Sequence, residues 1–212
     1  DDTPQLLSTM QGIQVITNAT NEVFVNACNQ AAGAAKGKYL LFLNNDTEVT
    51  PGWLDAMLAP FSDASTGIVG AKLIYPDGSL QEAGGIIWRD GSGCNFGHGD
   101  DPDLPQYSYR KAVDYCSGAC LMIPRKIWEK IGGFDQRYAP AYYEDTDLCF
   151  TVRALNYKVV FQPAARIIHY GGASAGKETT SGYKRFQEIN RHKFVEKWHD
   201  VLSRDHVLSS DG

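Results

Sequence analysis

The sequence predicts an α/β fold, and two observations carry that prediction. Strand and helix patterns alternate over the first 75 residues, the order expected of an α/β domain. The run Tyr39-Leu40-Leu41-Phe42-Leu43 is continuously apolar, as in strands covered on both faces of a largely parallel sheet. After residue 75 short strands mix with helices and the strict alternation ends.

The elements follow in chain order. Gly12 to Thr17 (GIQVIT) predicts a short strand. Glu22 to Lys36 predicts a helix: Val25, Cys28, Asn29 and Ala32 recur at helical spacing and Gly37 supplies the stop. Lys38 to Leu43 is a strand. Thr50, as N-cap, and Pro51, in the first turn, start a helix that runs to about Phe61. Gly67 to Tyr75 is a strand, and Pro76-Asp77-Gly78 is a turn because Pro and Gly fix its dihedrals. Ser79 to Trp88 predicts a further strand. Arg89 to Arg110, rich in Gly, Asp and Pro, predicts a long loop. Val113 to Ile123 contains a strand, and Pro124 opens a short helix ending at Gly132-Gly133. Glu144 to Asn156 is a helix, and Tyr157 to Phe161 and Arg166 to Tyr170 are short strands. Gly171 to Gly182 is a second, flexible loop. Ser181 to Asp200 is a helix with Tyr183, Phe186, Ile189 and Trp198 on its apolar side, and 201–212 form a frayed tail.

Composition excludes several functions. The 212 residues fit one domain, and 43% hydrophobic with 21% charged residues is ordinary for a globular protein. A net charge of -5 argues against general nucleic-acid binding, which wants a basic face. No apolar run approaches the roughly 18 to 20 residues of a membrane span. The five cysteines, Cys28, Cys94, Cys116, Cys120 and Cys149, are odd in number and lack a CxxC pair. That argues against a disulfide framework or zinc knuckle and for reduced thiols filling the core in a cytosolic compartment.

Three places could carry chemistry. Asn44, Asn45 and Asp46 end the apolar strand, and ligands of open α/β sheets bind beyond the carboxyl ends of strands. The plainer reading is a polar turn into a capped helix, and Asp46 alone does not displace it. Glu144, Asp145 and Asp147 crowd a helix start, where acids are favoured by about 0.3 to 1 kcal/mol each. Asp145, Leu148, Cys149 and Val152 follow i, i+3, i+4, i+7. Asp145 therefore heads the buried stripe, and a carboxylate there lines a cleft or is wastefully desolvated. Asp147 lacks that alignment and reads as a solvated or structural acid. His169 ends a strand before Gly171-Gly172; a lone histidine is more often structural than a ligand.

Taken together, FLNNDTEVTPGWLDAML, SGACLMIPRKIWEKIGGFD and YYEDTDLCFTVRALNYKVVFQPAARIIHYGG resemble, in order and spacing, the family-two inverting glycosyltransferases of GT-A fold. The likeness is to bacterial enzymes of surface-polysaccharide synthesis, rhamnosyltransferase-like members included, and PDGSLQEAGGII, Pro76 to Ile87, looks like the same subgroup. The resemblance covers roughly residues 12 to 200. It implies a mixed central sheet flanked by helices, in one domain spanning 1–200 and followed by a flexible tail. Asn44-Asn45-Asp46 falls where the family has its DxD motif, so Asp46 would bind a divalent metal and Asn44 would meet the ribose of the sugar donor. Asn in place of the first Asp removes a charge there. Glu144-Asp145 matches the family's ED motif, with Asp145 as catalytic base. His169 matches a histidine that joins the metal in several relatives, and Gly118 and Ala119 lie where relatives shape the acceptor side.

The implied chemistry is transfer of a sugar from a nucleotide-diphosphate donor to a saccharide or lipid-linked saccharide acceptor. Mn²⁺ or Mg²⁺ would neutralise the diphosphate, and imidazole ligation would favour Mn²⁺. The setting is cytoplasmic, at the inner face of the membrane, with peripheral association. The family's first strand, first helix and second strand have no counterpart after Asp1-Asp2-Thr3. The expectation is a fragment lacking its N-terminal strands and much of the nucleotide pocket, weak or inactive alone, and self-associating through an exposed edge. Two alternatives stay open. One is a non-catalytic carbohydrate-binding or assembly module of the same fold. The other is a sugar nucleotidyltransferase, which would want a Gly-rich phosphate loop near the chain start, and none is visible.

Overall fold

The computed structural model describes residues 2–171 and 185–209. Nine β-strands and six α-helices are formed among them. The main sheet is built from β1 (Tyr39–Leu43), β2 (Thr47–Val49), β3 (Thr66–Ile74), β8 (Cys120–Pro124) and β9 (Lys158–His169), in the order β1-β8-β3-β9-β2. β4 (Leu80–Glu82) adds to β3, and β7 (Lys111–Ala112) adds to β9. β3 and β9 run parallel, while β8 lies antiparallel to both β1 and β3. The sheet is therefore mixed, and β1, β3 and β9 point their carboxyl ends the same way.

Period-two alternation loads both faces. Leu121 and Ile123 of β8 face one side, with Ile68 and Val159. They pack against α2 (Val23–Ala34), α4 (Arg125–Ile131) and α5 (Glu144–Ala154) through Val25, Ile127, Leu148 and Val152. Cys120 and Met122 face the other side, with Val69, Leu73 and Ile167, under Met57 and Trp53 of α3 (Trp53–Leu58). A third cluster joins α5 to the C-terminal helix α6 (Arg185–Asp205) through Phe150, Phe194 and Leu202.

Several expectations hold, among them β3, α2, α4, α5 and the turn at Pro76-Asp77-Gly78, which closes through Tyr75 N–H to Ser79 O at 2.8 Å. Others are corrected. Gly12–Thr17 forms no strand; Ile13, Val15 and Ile16 lie exposed, and a strand has no stability without a neighbour to pair with. A helix not foreseen, α1 (Thr3–Thr9), precedes it. Thr50 is not the cap of α3: its hydroxyl donates to Arg166 O at 2.8 Å, and Gly52, at φ 77°, holds the cap position. The strand expected at Ser79–Trp88 breaks at Gly84 (φ 83°) into β4 and β5 (Gly85–Ile87). The long loop contains β6 (Gly93–Asn95), which forms a hairpin with β5. The two strands expected at 157–170 are one, β9, bulged where its register against β3 jumps from Gln162 to Arg166 around Pro163.

The C-terminal helix continues beyond Asp200, and Leu202 and His206 are buried, so 201–206 pack on the body where a frayed tail is expected. The loop at 172–182 and the start of that helix, Tyr183 included, lie outside the described residues. Cys116, Cys120 and Cys149 fill the core as expected, whereas Cys94 is exposed. β1 has β8 as its only partner among the described residues, which makes it an edge strand. It is not covered on both faces along its length, since Leu43 is exposed.

Candidate active site

Strand ends bring the singled-out residues together. β1 pairs with β8 so that Leu43 lies opposite Cys120. The next pair continues the ladder, with Asn44 N–H donating to Ala119 O at 3.0 Å. Asn44 and Asn45 therefore leave the sheet beside Gly118-Ala119. β2 pairs with β9 so that Thr47 lies opposite His169. One step back, Tyr170 N–H donates to Asp46 O at 2.9 Å, which sets Asp46 beside the carboxyl end of β9. His169 Nε2 is then 3.3 Å from Asp46 Oδ1 and 3.5 Å from Asn44 Nδ2.

The other half hangs on α5. Tyr142 and Tyr143 both take left-handed backbone (φ 73° and 71°) just before it, a conformation that costs about 1 to 3 kcal/mol each in a non-glycine residue. The Tyr143 side chain offsets that strain: its hydroxyl donates to Gly91 O at 2.8 Å and its ring packs 5.3 Å from Phe194. The forced entry aims Asp145 back at β8, where Gly118 N–H donates to Asp145 Oδ2 at 2.9 Å. Thr146 N–H donates to Oδ1 at 2.7 Å. Leu148, Cys149 and Val152 are buried behind it.

A cleft of about 1030 Å³ lies between, lined by Asn44, Asn45, Gly118, Ala119, Glu144 and Asp145 among others. Asp46 and His169 stand at its rim through Asn44 and do not line it. A Cβ on Gly118 would meet nothing nearer than 3.5 Å, so the glycine leaves room on the cleft side. A smaller groove of about 630 Å³, near Lys111, Arg153 and Lys158, holds none of these residues.

Burial pushes the Asp145 carboxyl above its ordinary value, against the lowering pull of the Gly118 and Thr146 hydrogen bonds. Glu144 goes further, well above the usual carboxylate range, because it is buried and faces the Asp145 charge. Its Oε2 has no hydrogen-bond partner among the described residues. Asp147, two residues on, is a strut. It accepts from Tyr138 Oη at 3.0 Å, Lys197 Nζ at 2.8 Å and Trp198 Nε1 at 2.7 Å.

Among the described residues no three His, Cys, Asp or Glu side chains surround one point. Asp46 and His169 nevertheless fit two ligands of a divalent ion. His169 Nδ1 lies 3.0 Å from Gln81 Oε1. A ring proton on Nδ1, donated to that oxygen, would leave the Nε2 lone pair facing Asp46. Two electron-rich atoms then face each other at 3.3 Å, near the roughly 3.0 Å between adjacent ligands of an octahedral ion with bonds of about 2.1 Å. Phosphate oxygens and water would complete the shell.

Gln81, which orients His169, is a residue that sequence reasoning passed over, as are Glu82 and Ser117. The first two sit in the segment Pro76–Ile87, whose adjacent polar pair before Gly84-Gly85 was the available signal.

The mixed sheet, with Asp46 beyond the carboxyl end of β1 and Asp145 in the first turn of α5, is of the GT-A type, and solved structures share this fold. GalNAc-T7, crystallised with UDP, GalNAc and Mn²⁺, superposes with a TM-score of 0.68 at 19% identity, covering 90% of this chain and 38% of that one. The mannosyltransferase PcManGT from Pyrobaculum calidifontis, in complex with GDP-Man and Mn²⁺, gives 0.61 at 13% identity, over 98% of this chain and 53% of that one.

The chain belongs to glycosyl transferase family 2, whose profile matches residues 1–132. It is 35% identical over 182 residues to the uncharacterised protein y4gI of Sinorhizobium fredii, covering 81% of this chain and 20% of that protein. It is 33% identical to the O-antigen biosynthesis protein RfbC of Myxococcus xanthus, over 69% of this chain and 12% of that protein. An N-acetylglucosaminyl-diphospho-decaprenol L-rhamnosyltransferase of Mycobacterium tuberculosis is 28% identical, over 68% of this chain and 50% of its own length. The chain thus spans half or less of these relatives. No helix among the described residues is long and apolar enough to cross a membrane.

Proposed function

We propose that the protein is an inverting glycosyltransferase of bacterial surface-polysaccharide synthesis. It moves a sugar from a nucleoside-diphosphate donor to a hydroxyl of a saccharide or lipid-linked saccharide. The observation that carries this reading is the junction at Asn44 and Gly118-Ala119. One side of it holds the facing pair Asp46 and His169, and the other side hydrogen-bonds Asp145. Family membership and the named activities of the relatives support it.

Asp46 and His169 would hold Mn²⁺ or Mg²⁺, which supplies charge neutralisation to the diphosphate leaving group. Asn44 would reach the ribose with its amide, and Asn45 would line the path of the phosphates. Asp145 takes the proton of the acceptor hydroxyl as that oxygen bonds to the anomeric carbon. The bond from that carbon to the phosphate oxygen breaks on the opposite face, and the nucleoside diphosphate leaves. One displacement inverts the configuration, and no second carboxylate protonates the leaving group. Gly118 and Ala119 shape the acceptor side, and Glu144 closes the cleft behind Asp145. The domain extends through His206, whose side chain is buried; it works at the cytoplasmic face of the membrane, and copies associate through the edge that β1 presents among the described residues.

Calorimetric titration of UDP-, GDP- and dTDP-sugars with and without Mn²⁺ tests the reading. Mn²⁺-dependent binding of one donor is expected, with loss of that dependence in Asp46→Ala. Binding that ignores both the ion and the substitution would place the donor elsewhere.

A further inference from the structure

The segment Pro76–Ile87 has no part in the reaction just described, yet β4 touches both halves of the site. Gln81 orients His169. Glu82, the next residue, is 1% exposed and lines the cleft that Asp145 borders. Its Oε1 accepts from Ser117 N–H at 3.0 Å. The next amide along, Gly118, is the one that donates to Asp145 at 2.9 Å. Two carboxyl groups thus hang on consecutive backbone N–H groups. The second oxygen of Glu82, Oε2, is buried and has no hydrogen-bond partner among the described residues.

A buried carboxylate without a cation is costly, so such a group holds its proton. Burial first, with the Asp145 charge adding, pushes Glu82 up to about 8, against the lowering pull of Ser117. The other titratable groups set against it are Tyr115, Cys116 and Cys149, all raised by burial and therefore neutral. Asp145 accepts two backbone N–H bonds to the one of Glu82, so it is the better placed of the pair to carry a charge. Glu82 then carries a hydrogen with no atom among the described residues to receive it, and buried donors are rarely left so.

Resting on the glycosyltransferase reading, we propose that Glu82 recognises the acceptor, its carboxyl group donating a hydrogen bond to a saccharide oxygen beside the hydroxyl that faces Asp145. The two acids divide the work: the neutral one holds the acceptor and the ionised one deprotonates it.

Two variants test this. Glu82→Gln keeps a neutral donor in place, and Glu82→Leu removes it at similar volume. Rates are measured with the nucleotide sugar that the protein uses and a panel of octyl glycosides as acceptors. Glu82→Leu is expected to raise acceptor KM about tenfold, as loss of one buried hydrogen bond does, with the KM for the sugar donor unmoved. Glu82→Gln is expected to stay within about threefold of the parent. An unchanged acceptor KM in Glu82→Leu overturns the assignment alone. So does a Glu82→Gln variant as inactive as Asp145→Asn, because Glu82 would then act ionised.

An infrared difference spectrum of parent minus Glu82→Gln requires neither substrate. A protonated carboxyl band is expected near neutral pH and should vanish as pH rises through about 8. A carboxylate band near neutral pH would overturn the proposal. A parent that binds no nucleotide sugar, either alone or within a longer chain that supplies further nucleotide-binding strands, overturns the glycosyltransferase reading and this assignment with it.

Discussion

Asp145→Asn is expected to cut sugar transfer by about 10²- to 10⁴-fold, the contribution of a positioned general base, while leaving the fold intact. The carboxylate accepts from Gly118 N–H, Thr146 N–H and the Thr146 hydroxyl, and an amide oxygen can take over at least one of these bonds. Burial already disfavours its charge, so removing that charge relieves a cost and offsets the lost hydrogen bond. Melting temperature is expected to move little, and Mn²⁺-dependent binding of the sugar donor to persist. Transfer at the parent rate would remove Asp145 from the base role.

Asp147→Ala is expected to do the reverse. Its side chain is 3% exposed and ties the α6 residues Lys197 and Trp198 and the Tyr138 hydroxyl to α5. Removing one partner of a buried ion pair costs about 3 to 5 kcal/mol. The lower end applies because Lys197 keeps Asp135 at 3.0 Å. Urea denaturation should show that loss in the midpoint. The folded fraction should still bind the sugar donor with Mn²⁺, because Asp147 does not line the cleft. Two carboxylates two residues apart would thus separate, one affecting turnover and the other stability. A loss of unfolding free energy below about 1 kcal/mol, the range of surface pairs, would show that the network holds α6 by other contacts.

Much of this architecture was legible from local pattern. β3 is apolar throughout and bounded by turn residues, and α5 carries a clear helical stripe, so neither required tertiary knowledge. The Asp145 direction followed from the same stripe, because Leu148, Cys149 and Val152 fix which way the helix faces. What failed depended on distant partners. GIQVIT has strand composition, but nothing among the described residues pairs with it. Thr50 has cap chemistry, yet Arg166 O, 116 residues away in sequence, captures its hydroxyl. Leu202 and His206 read as tail, but they close a pocket that Ile87 and Phe150 leave open.

The site divides the same way. Asn44, Asp46, Asp145 and His169 stood out by position at strand or helix ends. The roles of Gln81 and Glu82 exist only because the short β4 docks beside β3 and turns one side chain to His169 and the next to Ser117. Asp147 shows the converse. Chemically it matches Asp145, and only its three partners mark it as structural.

The central claim is that Asp46 and His169 hold the cation at the rim of the cleft into which Asp145 faces. Anomalous diffraction from crystals soaked with Mn²⁺ and the nucleoside diphosphate of the bound sugar donor tests it most directly. The account predicts one Mn²⁺ peak within bonding distance of Asp46 and His169 Nε2, with the diphosphate lying past Asn44 toward Gly118 and Asp145. A peak ligated elsewhere, or a diphosphate on the far side of the sheet from Asp145, would contradict it.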